Sequence, residues 1–149
     1  MHNLRANPRK VIFAWETFPD GFFMCTAFSR SCEMGYIKGL VTPQAKHASI
    51  QLIYVKPIYR NKGVATLLLQ RCIDRYGSND MTLLACPVDN DISLDVLSHF
   101  YERHGFEVYA VCQENPNEIS YSMCRSASPA EVIDSDLHER MRRRHMLSK

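Results

Sequence analysis

The sequence has no run of about 18 consecutive apolar residues, so a membrane-spanning helix is not expected. Residues 1–8 also lack the apolar segment of a secretory signal peptide. The 6 cysteines include no C-x-x-C pair and mostly lie inside apolar runs, and the 6 histidines form no H-E-x-x-H pattern. These absences predict buried thiols in a reducing compartment, without a disulfide framework or a metal site.

Charge is nearly balanced overall, at +2, but it is unevenly distributed. Residues 138–149 contain 5 basic residues and 1 acidic residue, which leaves 13 basic and 15 acidic residues in the remainder, from totals of 18 and 16. The remainder is therefore not expected to bind nucleic acid through its charge, and only the Arg-rich tail could do so. A solvated, frayed terminus is the alternative interpretation of that tail.

The chain has 149 residues, enough for one domain with a hydrophobic core. Apolar runs separated by turn residues predict strands over 9–17, 22–28 and 34–41, a strand that starts at His47, and later strands over 81–86, 106–111 and 119–123. Helices are predicted over 64–76 and 94–104, with Ser93 as the N-cap of the second. Strands alternating with helices indicate an α/β domain with a mixed sheet.

Residues 50–66 combine a strand, a basic glycine loop and a helix. The β-branched run 50–55 predicts a buried strand that stops before Pro57, and Gly63 precedes the predicted helix. The N–H groups at a helix start have no partners inside the helix, and the helix dipole adds positive charge there. Gly63 has no Cβ, so its backbone can approach an anion closely. The loop is therefore predicted to hold a phosphate group, with Arg60 and Lys62 adding positive charge.

Two motifs carry a family resemblance. The loop Arg60-Asn-Lys-Gly-Val-Ala65 has the form R-x-x-G-x-A, which lacks the Gly-Lys-Ser/Thr of a P-loop and the three glycines of a dinucleotide-binding loop. It resembles the pyrophosphate loop of the GNAT (GCN5-related) N-acetyltransferases, in which Q/R-x-x-G-x-G/A follows a strand and binds coenzyme A. Phe100-Tyr-Glu-Arg-His-Gly-Phe106 resembles the FYEKxGF signature of the same family. The resemblance covers about residues 48–125.

The resemblance implies an α/β fold of the GNAT type, with a mixed, mostly antiparallel central sheet and helices on both faces. A full member of the family usually has two helices between its first and second strands, whereas residues 1–46 predict three strands and no clear amphipathic helix. The chain thus resembles a shortened, phage-like GNAT whose N-terminal helices are reduced or absent and whose acceptor site is open. We expect an acyltransferase domain over 1–125, followed over 126–149 by a helix and the basic tail.

The resemblance also implies transfer of an acetyl group from acetyl-CoA to a primary amine, such as a protein lysine, without a metal. The pantetheine arm is expected to lie against the backbone of Ile53, Tyr54 and Val55, and a backbone N–H near Val55 is expected to face the thioester oxygen. The side chains of Ile53 and Val55 are expected in the core. The pyrophosphate is expected on the loop, whose residues are Arg60, Asn61, Lys62, Gly63, Val64, Ala65 and Thr66.

Tyr101 matches the family tyrosine that protonates the departing thiolate, and the alternative is a helix residue packed on the sheet. The general base stays open, because aligning the glycine loops puts Ser49 where lysine-modifying relatives carry a glutamate. Leu94 stands where family members often carry an asparagine, so that contact to the pantetheine arm is missing or comes from Asn90. Cys86 could be an acyl acceptor, but a buried thiol is favoured because no histidine is paired with it. The remaining base candidates are Glu102, Asp89, Asp91, Glu33, His47 or a bound water.

Two other functions remain open at this stage. The chain could be a catalytically weak or inactive GNAT-fold module that binds CoA or another protein, or its tail could bring an enzyme to nucleic acid. No membrane partner is expected, and the location is expected to be cytoplasmic, in the host cytoplasm if the chain is phage-encoded. Exposed strands in a shortened fold would favour a homodimer that covers an edge.

Overall fold

The computed structural model describes residues 10–87, 92–115 and 117–127. The elements in chain order are β1 (Ile12–Thr17), β2 (Phe22–Ser29), β3 (Cys32–Thr42), β4 (His47–Val55), α1 (Val64–Tyr76), β5 (Asp80–Ala85), α2 (Leu94–Glu102), β6 (Glu107–Asn115) and β7 (Glu118–Arg125). Every predicted strand and helix in this part of the chain is confirmed in type and order. The predicted C-terminal helix and the basic tail lie, from residue 128 onward, outside the described residues.

The strands form one 7-stranded sheet with the order β1-β2-β3-β4-β5-β7-β6. β4 and β5 are parallel, and every other neighbouring pair is antiparallel. Residues 10–46 contain three strands and a single turn of 3-10 helix, and no α-helix occurs among them. The mixed, mostly antiparallel sheet and the reduced N-terminal region therefore agree with the prediction. In the described part of the chain, no helix is long and apolar enough to cross a membrane.

Both described helices lie on the same face of the sheet. α1 connects β4 to β5 and α2 connects β5 to β6, and both connections join parallel strands and step in the same direction across the sheet. Because such crossovers are right-handed, the two helices lie on one side. Leu68 of α1 and Tyr101 of α2 accordingly join the same core, which contains Ile37, Met81 and Met123 from the sheet. Helices on both faces were expected, and within residues 10–87, 92–115 and 117–127 only one face is covered.

The other face of the sheet is solvent-accessible around β5. Along β5, Met81 and Leu83 point into the core, whereas Thr82 is half-buried and Leu84 is 55% exposed. The register places further side chains on the side of Thr82 and Leu84 in the neighbouring strands, since side chains alternate along a strand. We call this side the open face and define it by His47, Ser49, Thr82, Leu84 and Ser122.

An aromatic cluster fixes α1 against the N-terminal strands. The ring of Tyr76 lies 5.8 Å from Trp15 and 4.6 Å from Phe23, measured between centroids. The guanidinium of Arg75 covers the Trp15 ring at 4.4 Å. Phe23 is 2% exposed, and replacing a buried ring of this kind with alanine costs about 3–5 kcal/mol. The cluster anchors the last turn of α1, so the first turn, which carries the glycine loop, is held at the end of β4.

The cysteines differ in burial: two are buried, two are exposed, and Cys112 and Cys124 are intermediate. Burial raises the pKa of the Cys25 thiol to about 11 and that of the Cys72 thiol to about 12. Both thiols therefore stay protonated and behave as small apolar side chains, as predicted. Cys86 was expected to be buried, but it is exposed because β5 ends at Ala85. Cys32, at the start of β3, is exposed as well.

Candidate functional site

The glycine loop leads into α1 with its backbone open to solvent. Asn61 and Gly63 adopt left-handed conformations, with φ of 62° and 89°. The first helical bond runs from the Leu67 N–H to the Gly63 carbonyl over 3.1 Å, so the N–H groups of the preceding three residues have no acceptor inside the helix. A Cβ added to Gly63 would meet no atom within 4 Å. The loop therefore offers converging N–H groups and an empty space in front of them, which suits an anion.

The two cations of the loop are held by backbone carbonyls. The Arg60 Nε donates a 2.8 Å hydrogen bond to the carbonyl of Val55, and its guanidinium lies 5.8 Å from the ring of Tyr54. The Lys62 Nζ donates a 2.8 Å bond to the carbonyl of Ile58. Both side chains are thus held against the backbone of the segment that precedes the glycine loop.

β4 and β5 separate partway along their length. They pair from His47↔Asp80 to Ile50↔Leu83, although β4 continues to Val55. A bulge at Gln51 marks the point of separation, because Lys38 of β3 pairs with Leu52 while the next residue, Gly39, pairs with Ile50. We call the gap between residues 51–55 and β5 the cleft, and its closed end at Ile50 the apex.

Backbone groups of β4 are exposed along the cleft. The Lys56 N–H donates to the Met34 carbonyl of β3 over 2.9 Å. Alternate residues of an antiparallel strand direct both backbone groups to the same neighbour, so Tyr54 also faces β3, whereas Ile53 and Val55 face the cleft. The predicted cofactor strand is therefore present, but Tyr54 directs its backbone away from the cleft. The side chains of Ile53 and Val55 pack against the core, as expected.

A cavity of about 380 Å³ lies on the open face at the apex. It is lined by β4, β5, β6 and β7 through Ser49, Ile50, Gln51, Thr82, Leu83, Leu84, Tyr109 and Ser122. The polar lining consists of hydroxyl groups and one amide, and it includes no ionisable side chain other than the Tyr109 phenol. Beside this lining, on the open face, the Nε2 of His47 lies 2.7 Å from the Oγ1 of Thr82. We call this space the apex pocket.

Tyr101 lies at the end of α2 and is 8% exposed. Its ring packs 5.2 Å from Phe100 and 5.9 Å from Phe106, between centroids. Burial raises the pKa of the Tyr101 phenol to about 12. Its carbonyl accepts from the Phe106 N–H, which follows Gly105 in a left-handed conformation with φ of 92°. The predicted helix, glycine and strand are confirmed, and the phenol is a neutral proton donor at neutral pH.

Neither Tyr101 nor the remaining predicted site residues are among those that line the apex pocket. Glu102 is exposed, 3.8 Å from the ring of His99 on α2, and Glu33 is at the start of β3. Leu94 packs against the core. Asp89, Asn90 and Asp91 lie outside the described residues. Within the described ranges, no three His, Cys, Asp or Glu side chains are close enough to hold a metal ion.

The geometry fits an extended ligand that ends in a phosphate. The loop can hold a pyrophosphate, and the cleft-facing backbone of Ile53 and Val55 can pair with an amide-containing arm as an added strand would. Pantetheine, which carries two amides, matches that edge. The residues present therefore fit a coenzyme A derivative. Sequence reasoning missed the apex pocket, since its residues come from four strands and share no motif.

Comparison with known proteins agrees with this geometry. The model of the acetyltransferase (GNAT) family matches residues 3–106. No curated protein sequence matches the chain. The ribosomal-protein-S18-alanine N-acetyltransferase from Escherichia coli superimposes with a TM-score of 0.63 at 16% identity, over 74% of this chain and 72% of that one.

Two further solved structures share the fold. An aminoglycoside 6'-N-acetyltransferase complexed with coenzyme A gives a TM-score of 0.62 at 16% identity, over 74% of this chain and 75% of that one. Arabidopsis thaliana Naa50 in complex with a bisubstrate analogue gives a TM-score of 0.56 at 19% identity, over 69% of this chain and 72% of that one. Because the family model covers more than half of the residues and the sheet, loop and cleft agree with it, this chain belongs to the GNAT acetyltransferase family.

Proposed function

We propose that this protein transfers the acetyl group of acetyl-CoA directly to a primary amine, and that the amine is presented by a large, exposed acceptor such as a protein lysine. The observation that carries this proposal is the arrangement along one strand. The glycine loop follows the end of β4, the edge formed by Ile53 and Val55 leads away from it, and the apex pocket opens where β4 and β5 meet.

The loop and the strand edge bind the donor. The N–H groups of Val64, Ala65 and Thr66 receive the pyrophosphate, and Arg60 and Lys62 lower the cost of bringing its charge to the surface. The Arg60 Nε already donates to the Val55 carbonyl, so the pantetheine arm pairs with the remaining cleft-facing groups of Ile53 and Val55. When bound, acetyl-CoA supplies the activated thioester at the apex.

Stabilisation of the thioester oxygen is assigned to the N–H of Ile53 rather than to a group near Val55. At about 3.3 Å per residue, Ile53 lies about 10 Å from Ile50 along the strand and Val55 about 16 Å, so the Val55 N–H is the more distant of the two from the apex. Ile53 is the nearer of the two residues whose backbone faces the cleft. A fixed backbone N–H of this kind stabilises developing negative charge on oxygen.

Tyr101 is assigned as the acid that protonates the departing thiolate. A phenol whose pKa is raised to about 12 remains protonated throughout the physiological range, so it is always available to donate. The ring contacts with Phe100 and Phe106 hold the side chain in place. The phenol can then recover a proton from the reacting amine, which returns the site to its starting state.

Exposure of the apex pocket favours a large acceptor. Leu84, at its rim, is 55% exposed, and no α-helix within residues 10–46 covers the open face. A side chain carried by a protein surface can enter such a pocket, whereas a small molecule would be poorly enclosed there. The amine of the acceptor then meets the hydroxyl groups of Ser49, Thr82 and Ser122.

A CoA-binding module without transfer activity is the second candidate. It is favoured by the apex pocket itself, since none of the residues that line it is a carboxylate able to act directly as a base. Such a module would retain the loop and the cleft, and therefore the affinity for CoA, but it would not acetylate an amine.

The two functions are separated by one experiment. The purified protein is incubated with acetyl-CoA and a panel of lysine-containing peptides, peptide N-termini and small amines, and mass spectrometry follows the gain of one acetyl group. Calorimetry with CoA is run in parallel. We expect binding and acetylation of at least one lysine or N-terminal peptide. Binding without acetylation would establish the module, and neither binding nor acetylation would refute both functions.

A further inference from the structure

The proton of the attacking amine needs an acceptor, and the lining of the apex pocket offers none that is ionised. We propose that His47 is this acceptor and that the hydroxyl of Thr82 carries the proton to it from the pocket. This role presupposes the acetyl transfer proposed above and adds the residues that remove the proton.

The geometry of the open face supports the pairing. His47 and Ser49 alternate along β4, Thr82 is opposite Ser49 in β5, and the Nε2 of His47 lies 2.7 Å from the Thr82 Oγ1. Thr82 itself lines the apex pocket, and it lies one residue before Leu83, the last residue of β5 that pairs with β4. The hydroxyl therefore has the pocket on one side and the imidazole on the other.

The register and the burial pattern identify the groups that surround this pair. Ala48 and Met81, the neighbours of His47 and Thr82 in the chain, are fully buried on the helix-covered side. On β3, the residue opposite His47 is Thr42, which does not titrate at physiological pH.

On β5, Asp80 is opposite His47 but is exposed, and its carboxylate accepts from the Ala127 N–H. Lys46, which precedes His47, is exposed, as is Glu107, two strands from Thr82. Thr82 is thus the group through which the imidazole reaches the pocket.

The proton balance is complete with these groups. An alkylammonium has three N–H bonds and the amide product has one, so two protons leave the nitrogen. The first passes to the Thr82 hydroxyl while the Thr82 proton moves to Nε2 of His47, from which it returns to solvent. This frees the lone pair that forms the N–C bond as the C–S bond breaks. The second proton leaves the new amide nitrogen and replaces the proton that Tyr101 gives to the thiolate.

The relay makes a prediction about the ring itself that needs no turnover. To accept from Thr82, the Nε2 of His47 must lack a proton, so the hydrogen is on Nδ1. Two-dimensional NMR of the protein labelled with ¹⁵N at histidine, recorded at pH 8, distinguishes the two tautomers, and His47→Gln assigns the signal. We expect the Nδ1–H form in the wild type and a changed Nε2 signal in Thr82→Val. An Nε2–H form in the wild type would overturn the relay.

Kinetics provide the second test, in the full-length protein and with a peptide that the wild type acetylates. We expect His47→Gln and Thr82→Val to lower kcat on the order of 100-fold, while Thr82→Ser, which keeps the hydroxyl, restores most of it. The affinity for CoA should be unchanged in all three. When kcat/KM is measured as a function of pH, the decrease toward low pH should disappear in His47→Gln. His99→Gln is the matched control, because His99 is exposed on α2.

The outcomes separate this role from the proposed function. If the wild type acetylates the peptide but His47→Gln retains its rate and its pH profile, the relay is wrong and the transferase function stands. Equal losses in Thr82→Ser and Thr82→Val would also overturn the relay, since the hydroxyl would then not matter. If the wild type acetylates nothing, the proposed function fails, and the relay fails with it.

Discussion

Replacing Gly63 with alanine tests the glycine loop as the donor-binding element. Gly63 has a φ of 89°, and an added Cβ would meet nothing within 4 Å. The folded protein therefore suffers no clash, and only the left-handed backbone resists the change, at about 1–2 kcal/mol for a residue with a side chain. In a domain of this size each kcal/mol lowers the melting temperature by about 2–4 °C.

The loss of affinity for acetyl-CoA in Gly63→Ala should be larger than its loss of stability can account for. The Cβ would occupy the space where the pyrophosphate approaches the N–H groups of α1. The loss of one hydrogen bond to a charged group is worth about 1.5–3 kcal/mol, which weakens binding about 10- to 100-fold. We expect calorimetry with acetyl-CoA to show this weakening in Gly63→Ala, while the folded protein remains fully populated at 25 °C.

Gly105 provides the matched control. Its φ is 92°, and the nearest atom to an added Cβ is the Nε of Arg125, at 3.2 Å, which donates to the His104 carbonyl. Gly105→Ala should therefore lose at least as much stability as Gly63→Ala, but it should bind acetyl-CoA like the wild type because it lies beyond α2. Equal affinities in the two variants would refute the loop as the pyrophosphate site. A large loss of stability in Gly63→Ala alone would show that the space in front of it is not open.

Three further predictions follow from single side chains. Arg60→Gln should weaken the binding of CoA about 10-fold in calorimetry, whereas Arg71→Gln, whose guanidinium lies over Phe13 at 4.6 Å, should not, and equal affinities would contradict the role of Arg60. Tyr101→Phe should lower kcat on the order of 100-fold without changing CoA affinity, and because the pKa of Tyr101 is about 12, the wild-type rate should show no loss of this acid below about pH 10; an unchanged kcat would remove Tyr101 from the reaction. Brief treatment of the native protein with iodoacetamide at pH 8, followed by mass spectrometry, should label Cys32 and Cys86 before Cys25 and Cys72, and early labelling of Cys72 would show that its thiol is not buried.

The sequence was sufficient to predict the ends of helices that are marked by a glycine or a capping residue. α1 occupies the predicted residues 64–76 because a glycine stands at each end. α2 begins at the predicted Leu94, where the Ser93 side chain accepts from the Val96 N–H. It ends two residues earlier than predicted, because the N–H groups of His104 and Gly105 bond three residues back and tighten the last turn. Hydrophobic periodicity does not distinguish such a turn from a helix.

The arrangement of the site could not be predicted from the sequence of any one strand, because it depends on strand order and on register. That both helices lie on one face follows from strand order, which places β6 beyond β7. That Tyr54 faces β3 follows from the register, which the bond from Lys56 to Met34 fixes. The bulge at Gln51 lies at the point where the pairing of β4 with β5 ends. Gly39 of β3 is next to this register shift, but β4 itself contains no glycine or proline. The loop could be predicted because its function depends on consecutive residues, whereas the apex pocket depends on pairing between distant ones.

The accessibility of the open face and the absence of a carboxylate on the lining of the apex pocket are consistent with each other. In a site without a lining carboxylate, an arriving ammonium gains no ion pair, so its affinity must come from the rest of the acceptor. A sheet face that remains accessible around Leu84 can supply that contact with a macromolecule, and a helix over the same face would prevent it. The proton must then leave through a group next to the lining rather than on it. The pair formed by Thr82 and His47 satisfies this requirement, since only the hydroxyl is on the lining of the pocket. The absence of an α-helix within residues 10–46 and the absence of a carboxylate on the lining are therefore both compatible with the proposed transfer, provided that the acceptor is large and that the proton has this route out.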